Sequence, residues 1–212
     1  MWSGGKDSAL ALWRARQRGL EVRWLVTAFD EATRRVRFHA TPIASILRQA
    51  AETGATAVAV PTTWETFDAS LAHALDGLVR EGCRGVIFGD IHLADVRAWY
   101  EERTRRARLE HIELLWGEPP AALLAEFVAI GGRAVITCVE LAKLDPTWLG
   151  RVIDDEFVRD IAATGIDPCG ENGEYHSFAY AGPFFARQLL VHRGPRRDDA
   201  GFAQLDLDAA VS

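Results

Sequence analysis

Lysine is almost missing from this 212-residue chain: Lys6 and Lys143 are the only two, and arginine carries the rest of the positive charge. Acidic residues outnumber basic ones by 30 to 24, for a net charge of −6. That balance argues against a surface given over to nucleic acid. Cysteine is scarce as well, with Cys83, Cys138 and Cys169 odd in number and far apart. They have no metal spacing and form no disulfide framework, which points to a reducing compartment, the cytoplasm by default. No apolar run approaches a membrane span and the first residues have no secretory-leader pattern, so no membrane partner is expected. Hydrophobic residues, in contrast, make up 49% of the chain, enough for a large core.

Against that background Lys6 stands out, inside Met1-Trp2-Ser3-Gly4-Gly5-Lys6-Asp7-Ser8. Two adjacent glycines let the backbone turn tightly and approach a ligand closely. Directly after them Ala9, Leu10, Leu12 and Trp13 recur at helical spacing. The glycines therefore sit at a helix N-terminus, where free amides and the macrodipole favour an anion. Lys6 adds a mobile cation and Ser3 and Ser8 add hydroxyls, a set suited to phosphate. The spacing differs from the G-x-x-x-x-G-K-[ST] loop. A phosphate loop should follow a buried strand, yet only Met1 and Trp2 precede this one. The expectation is a first strand that is truncated or short.

Strand and helix patterns then alternate. A helix is expected from Asp7 to Gln17, a strand from Val22 to Phe29, and a polar loop or hairpin arm from Asp30 to Arg37. Thr41-Pro42 reads as an N-cap followed by proline at the first helical position. Ala55 to Val60 and Arg84 to Phe88 read as buried strands, and Phe67, Leu71, Leu75 and Leu78 as a helix between them. A polar helix from about Leu93 to Arg108 precedes a short strand, Glu113 to Trp116. Such alternation predicts α/β architecture with a doubly wound parallel sheet. The pattern changes near residues 117–135, so the chain divides into a larger α/β domain, 1–125, and a smaller α+β domain, 126–212.

Gly89-Asp90 falls at the carboxyl end of an expected strand, the edge where such sheets bind ligands. Asp90 there suits a Mg2+ ion on phosphates, or equally a helix cap. Arg97 and Glu101 on the next helix read as an i,i+4 pair. The run Asp167-Pro168-Cys169-Gly170-Glu171-Asn172-Gly173-Glu174-Tyr175-His176-Ser177-Phe178 concentrates carboxylates, an amide and an imidazole around glycine bends. It reads as a loop site that converges on one small polar ligand. His39 is placed at a helix entry or the ligand edge, while His73, His111 and His192 are read as structural or surface residues. Trp64, Trp99, Trp116 and Trp148 are read as core.

Ser3-Gly4-Gly5-Lys6-Asp7-Ser8 resembles the pyrophosphate-binding loop of the ATP pyrophosphatases. Together with Gly89-Asp90-Ile91, Gly170-Glu171-Asn172-Gly173-Glu174-Tyr175 and Gly182-Pro183-Phe184-Phe185, in this order, it resembles the diphthine–ammonia ligase (diphthamide synthase) ATP-binding family over nearly the whole chain. The resemblance implies a Rossmann-like ATP domain and a smaller domain carrying the acidic motif. It implies that Ser3, Gly4, Gly5, Lys6, Asp7, Ser8 and Gly89 hold ATP. Asp7 and Asp90 would hold Mg2+. Arg97, Glu171, Asn172, Gly173, Glu174 and Tyr175 would face the acceptor. Lys6, Asp90, Glu171, Glu174 and His176 would carry the chemistry. Asn172 stands where the eukaryotic and archaeal pattern has Gly, and His176 where it has Glu, a variant similar to the bacterial branch. For that branch the resemblance implies the ATP chemistry but not the diphthine acceptor.

The function so implied is an ATP-dependent ligase. It would adenylate a carboxylate acceptor, release pyrophosphate and join ammonium or an amine; a homo-oligomer is compatible with this. The rival reading is a protein that binds or senses ATP or AMP without ligation. A tRNA-modifying relative fits poorly with an acidic chain that lacks a cysteine pair.

Overall fold

The computed structural model describes residues 1–37, 39 and 41–211. The glycine loop leads into α1 (Lys6–Gln17), whose Ala9, Leu10, Ala11 and Leu12 are buried. Strand β1 (Trp24–Asp30) follows and pairs with the two-residue arm β2 (Arg35–Val36) antiparallel and with β3 (Thr56–Thr62) parallel. Between the last two lies α2 (Ile43–Ala51); Pro42, not Thr41, occupies its N-cap position, because Pro42 keeps extended angles while Ile43 opens the helix. Helix α3 (Phe67–Arg80) buries Leu71, Leu75 and Leu78, the periodic residues of its sequence. A second parallel ribbon comprises β4 (Gly85–Phe88) and β5 (Glu110–Glu113), connected by α4 (Ala94–Arg106).

Met1 and Trp2 join the two ribbons. The Trp2 amide donates to the Val26 carbonyl at 2.8 Å, Thr27 Oγ1 donates to the Trp2 carbonyl at 2.7 Å, and the Met1 nitrogen donates to the Ile87 carbonyl. Across the layer the order is therefore β3, β1, residues 1–2, β4, β5. The glycine loop leaves this line at the edge where β1, β3 and β4 end, with Asp30, Thr62 and Phe88 as their last residues.

The rest of the chain forms α5 (Pro120–Ala129), β6 (Arg133–Glu140), β7 (Val152–Ile153), α6 (Asp155–Ala162), β8 (Tyr175–Ala181), β9 (Leu189–Asp199) and β10 (Phe202–Val211). Their sheet runs β7-β6-β10-β9, with β8 also paired to β6, all antiparallel. The Ala179 amide of β8 donates to the Gly4 carbonyl at 2.8 Å, so this sheet grips the glycine loop directly. One apolar cluster runs from Trp2 and Leu10 through Ile46 and Phe127 to Phe157 and Phe178. At about 1.5–3 kcal/mol per buried large side chain, that shared core fixes the loop between the two sheets. Arg14 adds a polar tie, donating to Glu118 and Glu126 and to the Leu114 carbonyl.

Candidate active site

Gly4 has φ +79°, and a Cβ there would strike the Ile46 side chain and lie 2.6 Å from Gln49 Oε1. Glycine is thus required both by the turn and by the close packing of α2. The loop amides are held by hydroxyls: Gly5 N–H donates to Ser3 Oγ at 3.3 Å and Lys6 N–H to Ser177 Oγ at 3.2 Å. Ser8 Oγ lies 3.4 Å from Ser3 Oγ and donates to the Gly5 carbonyl at 3.0 Å. Hydroxyl oxygens therefore stand where anion oxygens meet a helix N-terminus.

Lys6 is not the mobile, solvent-facing cation that its sequence position suggests. It is 2% exposed, and its ammonium donates to Asp7 Oδ2 at 2.7 Å and to the Cys169 carbonyl, 5.1 Å from the Tyr175 ring centroid. Burial opposes its charge, but Asp7 beside it raises the pKa well above the ordinary value, so it stays an ammonium.

Gly89 lets the second motif approach the first. A Cβ at Gly89 would sit 3.0 Å from the Asp7 carbonyl carbon and 3.1 Å from the Ser8 nitrogen. The acidic run closes on the same place. Glu171 Oε1 accepts from the Ile91 amide at 2.9 Å, and His92 Nε2 lies 2.5 Å from Asp167 Oδ2. Asp167 Oδ1 in turn accepts from the Cys169 amide at 2.7 Å. All three motifs thus meet, although the third lies some 80 residues beyond the second.

The meeting point is short of positive charge. Burial, then Asp7, raises the Glu171 carboxyl to about 7. Burial, then Glu113, raises Asp90 to about 6. Burial raises Asp7 too, with Lys6 opposing. Glu174 is 5% exposed; its Oε1 accepts from Asn172 Nδ2 at 3.3 Å, while its Oε2 is buried with no partner among the described residues. For Asp7, Asp90 and Glu171 burial is the larger cause, and neighbouring carboxylates add to it. Among the described residues, no group of three or more His, Cys, Asp or Glu side chains is assembled for a metal.

Other sequence-singled residues fall elsewhere. Tyr175 is 2% exposed and lies beneath the acidic loop, its hydroxyl donating to the Pro168 carbonyl at 2.6 Å. The residue expected to face the acceptor is therefore part of the loop's support. Arg97 pairs not with Glu101 but with Glu113 at 3.2 Å, and its guanidinium lies 4.5 Å from the Trp116 ring, because β5 brings Glu113 across from another element. Trp64 is 70% exposed rather than core, with the Arg37 guanidinium 4.5 Å from its ring. His39 and His176 are ring neighbours, 4.4 Å between centroids, and His39 Nδ1 is buried with no partner among the described residues. Burial, then Lys6, lowers His176 to about 4, so it is a neutral imidazole here.

The sequence reading missed Gln49. This fully buried amide donates from Nε2 to the Gly4 carbonyl at 2.8 Å and to the Ala179 carbonyl at 2.6 Å, and accepts from Trp2 Nε1 at 2.8 Å. Its signal was a polar residue three places after Ile46, inside the apolar stripe of α2. Ser177, which accepts the Lys6 amide, was likewise quoted without a role.

Residues 1–111 match the diphthamide synthase N-terminal domain family, and residues 119–211 match the diphthamide synthase C-terminal domain family. The diphthine–ammonia ligases of Bos taurus and Homo sapiens are each 28% identical over 116 residues, which is 53% of this chain and 43% of theirs. That of Danio rerio is 29% identical over 111 residues, 50% of this chain and 44% of its own length. The chain therefore matches less than half the length of these relatives.

Proposed function

From the premise that the chain belongs to the diphthamide synthase family, we propose that it is an ATP-dependent ligase that joins ammonia or an amine to a carboxylate through an adenylate. The observation that carries this reading is the convergence of the glycine loop, the Gly89-Asp90 turn and the buried carboxylates of the acidic loop at one place. A phosphate loop alone serves a sensor equally well. Carboxylates buried against it at a cost in pKa fit a site built to handle a cationic or proton-releasing reactant.

ATP would lie with its phosphates on the α1 N-terminus, replacing Ser3 and Ser177 hydroxyl oxygens as acceptors of the Gly5 and Lys6 amides. The acceptor carboxylate attacks the α-phosphorus and the bond to the pyrophosphate oxygen breaks. Ammonia then attacks the acyl carbon and AMP leaves. Glu171, with its carboxyl near 7, is matched to taking up the proton that ammonium gives up. Glu174 would orient the nitrogen through its unpartnered Oε2. Asp7 and Asp90 suit Mg2+, which is held by one or two carboxylates together with phosphates; their raised pKa values mark charge that a divalent ion would relieve. When bound, the ion would neutralise the departing pyrophosphate. Residues 1–125 would hold ATP and 126–212 the acceptor side, in a cytoplasmic setting. The test is incubation with ATP, ammonium and a panel of carboxylic acids, measuring AMP and pyrophosphate. Acid-dependent release of both supports the ligase; ATP binding without AMP under every acid returns the chain to a sensor.

A further inference from the structure

We propose that Lys6 is a positioning residue: its ammonium holds the Asp167–Glu174 loop against the glycine loop and is not a ligand of the phosphates. An ammonium has three donors and no acceptor. Here Asp7 Oδ2 takes one at 2.7 Å, the Cys169 carbonyl takes another, and the third side of the cation faces Tyr175, 5.1 Å from the ring centroid. Two of the three donors are thus committed, and the third belongs to a nitrogen buried over the Tyr175 ring. The side chain is 3% exposed, so swinging it outward would also strand a buried carbonyl and empty the space above Tyr175.

The contacts around Lys6 form a cradle for the loop. Tyr175 receives the ammonium on its ring face and donates its hydroxyl to the Pro168 carbonyl at 2.6 Å, one residue before Cys169. Successive carbonyls of the loop, Pro168 and Cys169, are thus held by Tyr175 and Lys6. The same segment is fixed on its other side by Asp167 with the Cys169 amide and by Glu171 with the Ile91 amide. Cys169 is 163 positions from Lys6 in the chain, so this cation ties the acidic loop of the second matched segment to the glycine loop of the first, beside the Ala179–Gly4 and Lys6–Ser177 bonds. The loop's anion-binding capacity does not need the ammonium, because it rests on backbone amides and serine hydroxyls. What the ammonium supplies is the placement of Glu171 and Glu174. The consequence for catalysis rests on the ligase reading above; the clamp itself does not.

The clamp and a phosphate-ligand role are separated by Lys6→Met, which keeps the length of the side chain and removes the donors. Hydrogen exchange of the peptide spanning residues 167–174 reports the loop, calorimetry with ATP reports the nucleotide site, and AMP release reports the chemistry. The clamp predicts loop exchange faster by about ten- to a hundred-fold, the scale of one charged hydrogen bond. It predicts ATP affinity within about two-fold of wild type and a lower kcat with KM for ATP unchanged. If Lys6→Met does not fold, Tyr175→Phe removes only the hydroxyl bond to Pro168. It should then speed exchange in the same peptide and leave ATP affinity alone. Wild-type loop exchange in either variant overturns the clamp. So does a Lys6→Met protein that loses ATP affinity while the loop stays protected. If wild type binds no ATP, the ligase reading fails, but the exchange measurement still decides the clamp.

Discussion

Replacing Glu171 with Gln should make the ligand-free protein more stable at pH 8 and much less active. Gln keeps an oxygen for the Ile91 amide, which Glu171 Oε1 now accepts at 2.9 Å, and removes only the charge. Burial, then Asp7, lifts this carboxyl from 4.5 to about 7. A raised carboxylate pKa is a stability penalty whose size depends on pH. Below 4.5 both folded and unfolded chains hold the proton and nothing is lost. Between 4.5 and 7 the unfolded chain gives up the proton first, so folding is progressively disfavoured. Above 7 the penalty is complete. A shift of about 2.5 units corresponds to about 3 kcal/mol at pH 8 and about 1 kcal/mol at pH 5. The remaining solvent contact of Glu171 trims the pH 8 figure to about 2–3 kcal/mol.

For a chain of this size that gain raises Tm by about 5–10 °C at pH 8. Urea denaturation of wild type and Glu171→Gln at pH 5 and pH 8 measures both differences. The variant's advantage should grow with pH, while ammonium-dependent AMP release falls by about ten- to a thousand-fold. An equal stability difference at both pH values, or a destabilised variant at pH 8, would refute the claim that Glu171 is ionised at a cost to the fold.

Glu174→Gln should leave ATP affinity nearly intact and lower ammonium-dependent AMP release by about ten- to a thousand-fold; full activity would return Glu174 to a structural role, and parallel loss of ATP binding would place it on the nucleotide. Gly89→Ala places a methyl 3.0 Å from the Asp7 backbone, so it should cost about 1–3 kcal/mol in denaturant melts and weaken ATP binding by calorimetry, whereas wild-type values in both would show that the two turns move apart freely. Removing Mg2+ with a chelator should weaken ATP binding more at pH 8 than at pH 6, because Asp90, at about 6, carries less charge at the lower pH; an identical chelator effect at both pH values would separate Asp90 from the metal.

Local signals carried most of the fold. Apolar runs marked β1, β3 and β4, and the Leu71–Leu75–Leu78 period marked α3. The expected strand Glu113 to Trp116 is instead β5 at Glu110–Glu113. Leu114 and Leu115 are buried at 5% and 0% in the segment after it: hydrophobicity reports burial, and a loop can be buried too. The three motifs were legible as types of chemistry, but their partners were not. Cys169 on Lys6, Glu113 on Arg97, His39 on His176 and Arg37 under Trp64 are contacts between elements distant in sequence or set by the path of a loop. Helical spacing offered Glu101 to Arg97, and only the placement of β5 made Glu113 the better partner.

The scarcity of lysine acquires a physical meaning at the site. Asp7, Asp90 and Glu171 approach one another where Lys6 donates to Asp7 and Cys169 and lies over the Tyr175 ring, while the other lysine, Lys143, holds the Asn172 carbonyl of the acidic loop. On the proposed ligase reading, a nucleotide polyphosphate would be admitted by the amides of α1 rather than by a side-chain cation. On the same reading, the carboxylates would draw a small cation such as ammonium inward. There ammonium would meet Glu171, whose carboxyl is raised to about 7 by burial, then Asp7, a value suited to accepting its proton. Adding a free arginine or lysine would ease ATP binding but would repel that cation and return Glu171 to the ordinary carboxylate range. A site proposed to bring an anion and a cation together would be served by backbone amides for the first and carboxylates for the second, with Lys6 turned inward as one of the ties, beside the Gly4–Ala179 and Lys6–Ser177 bonds, between the two segments.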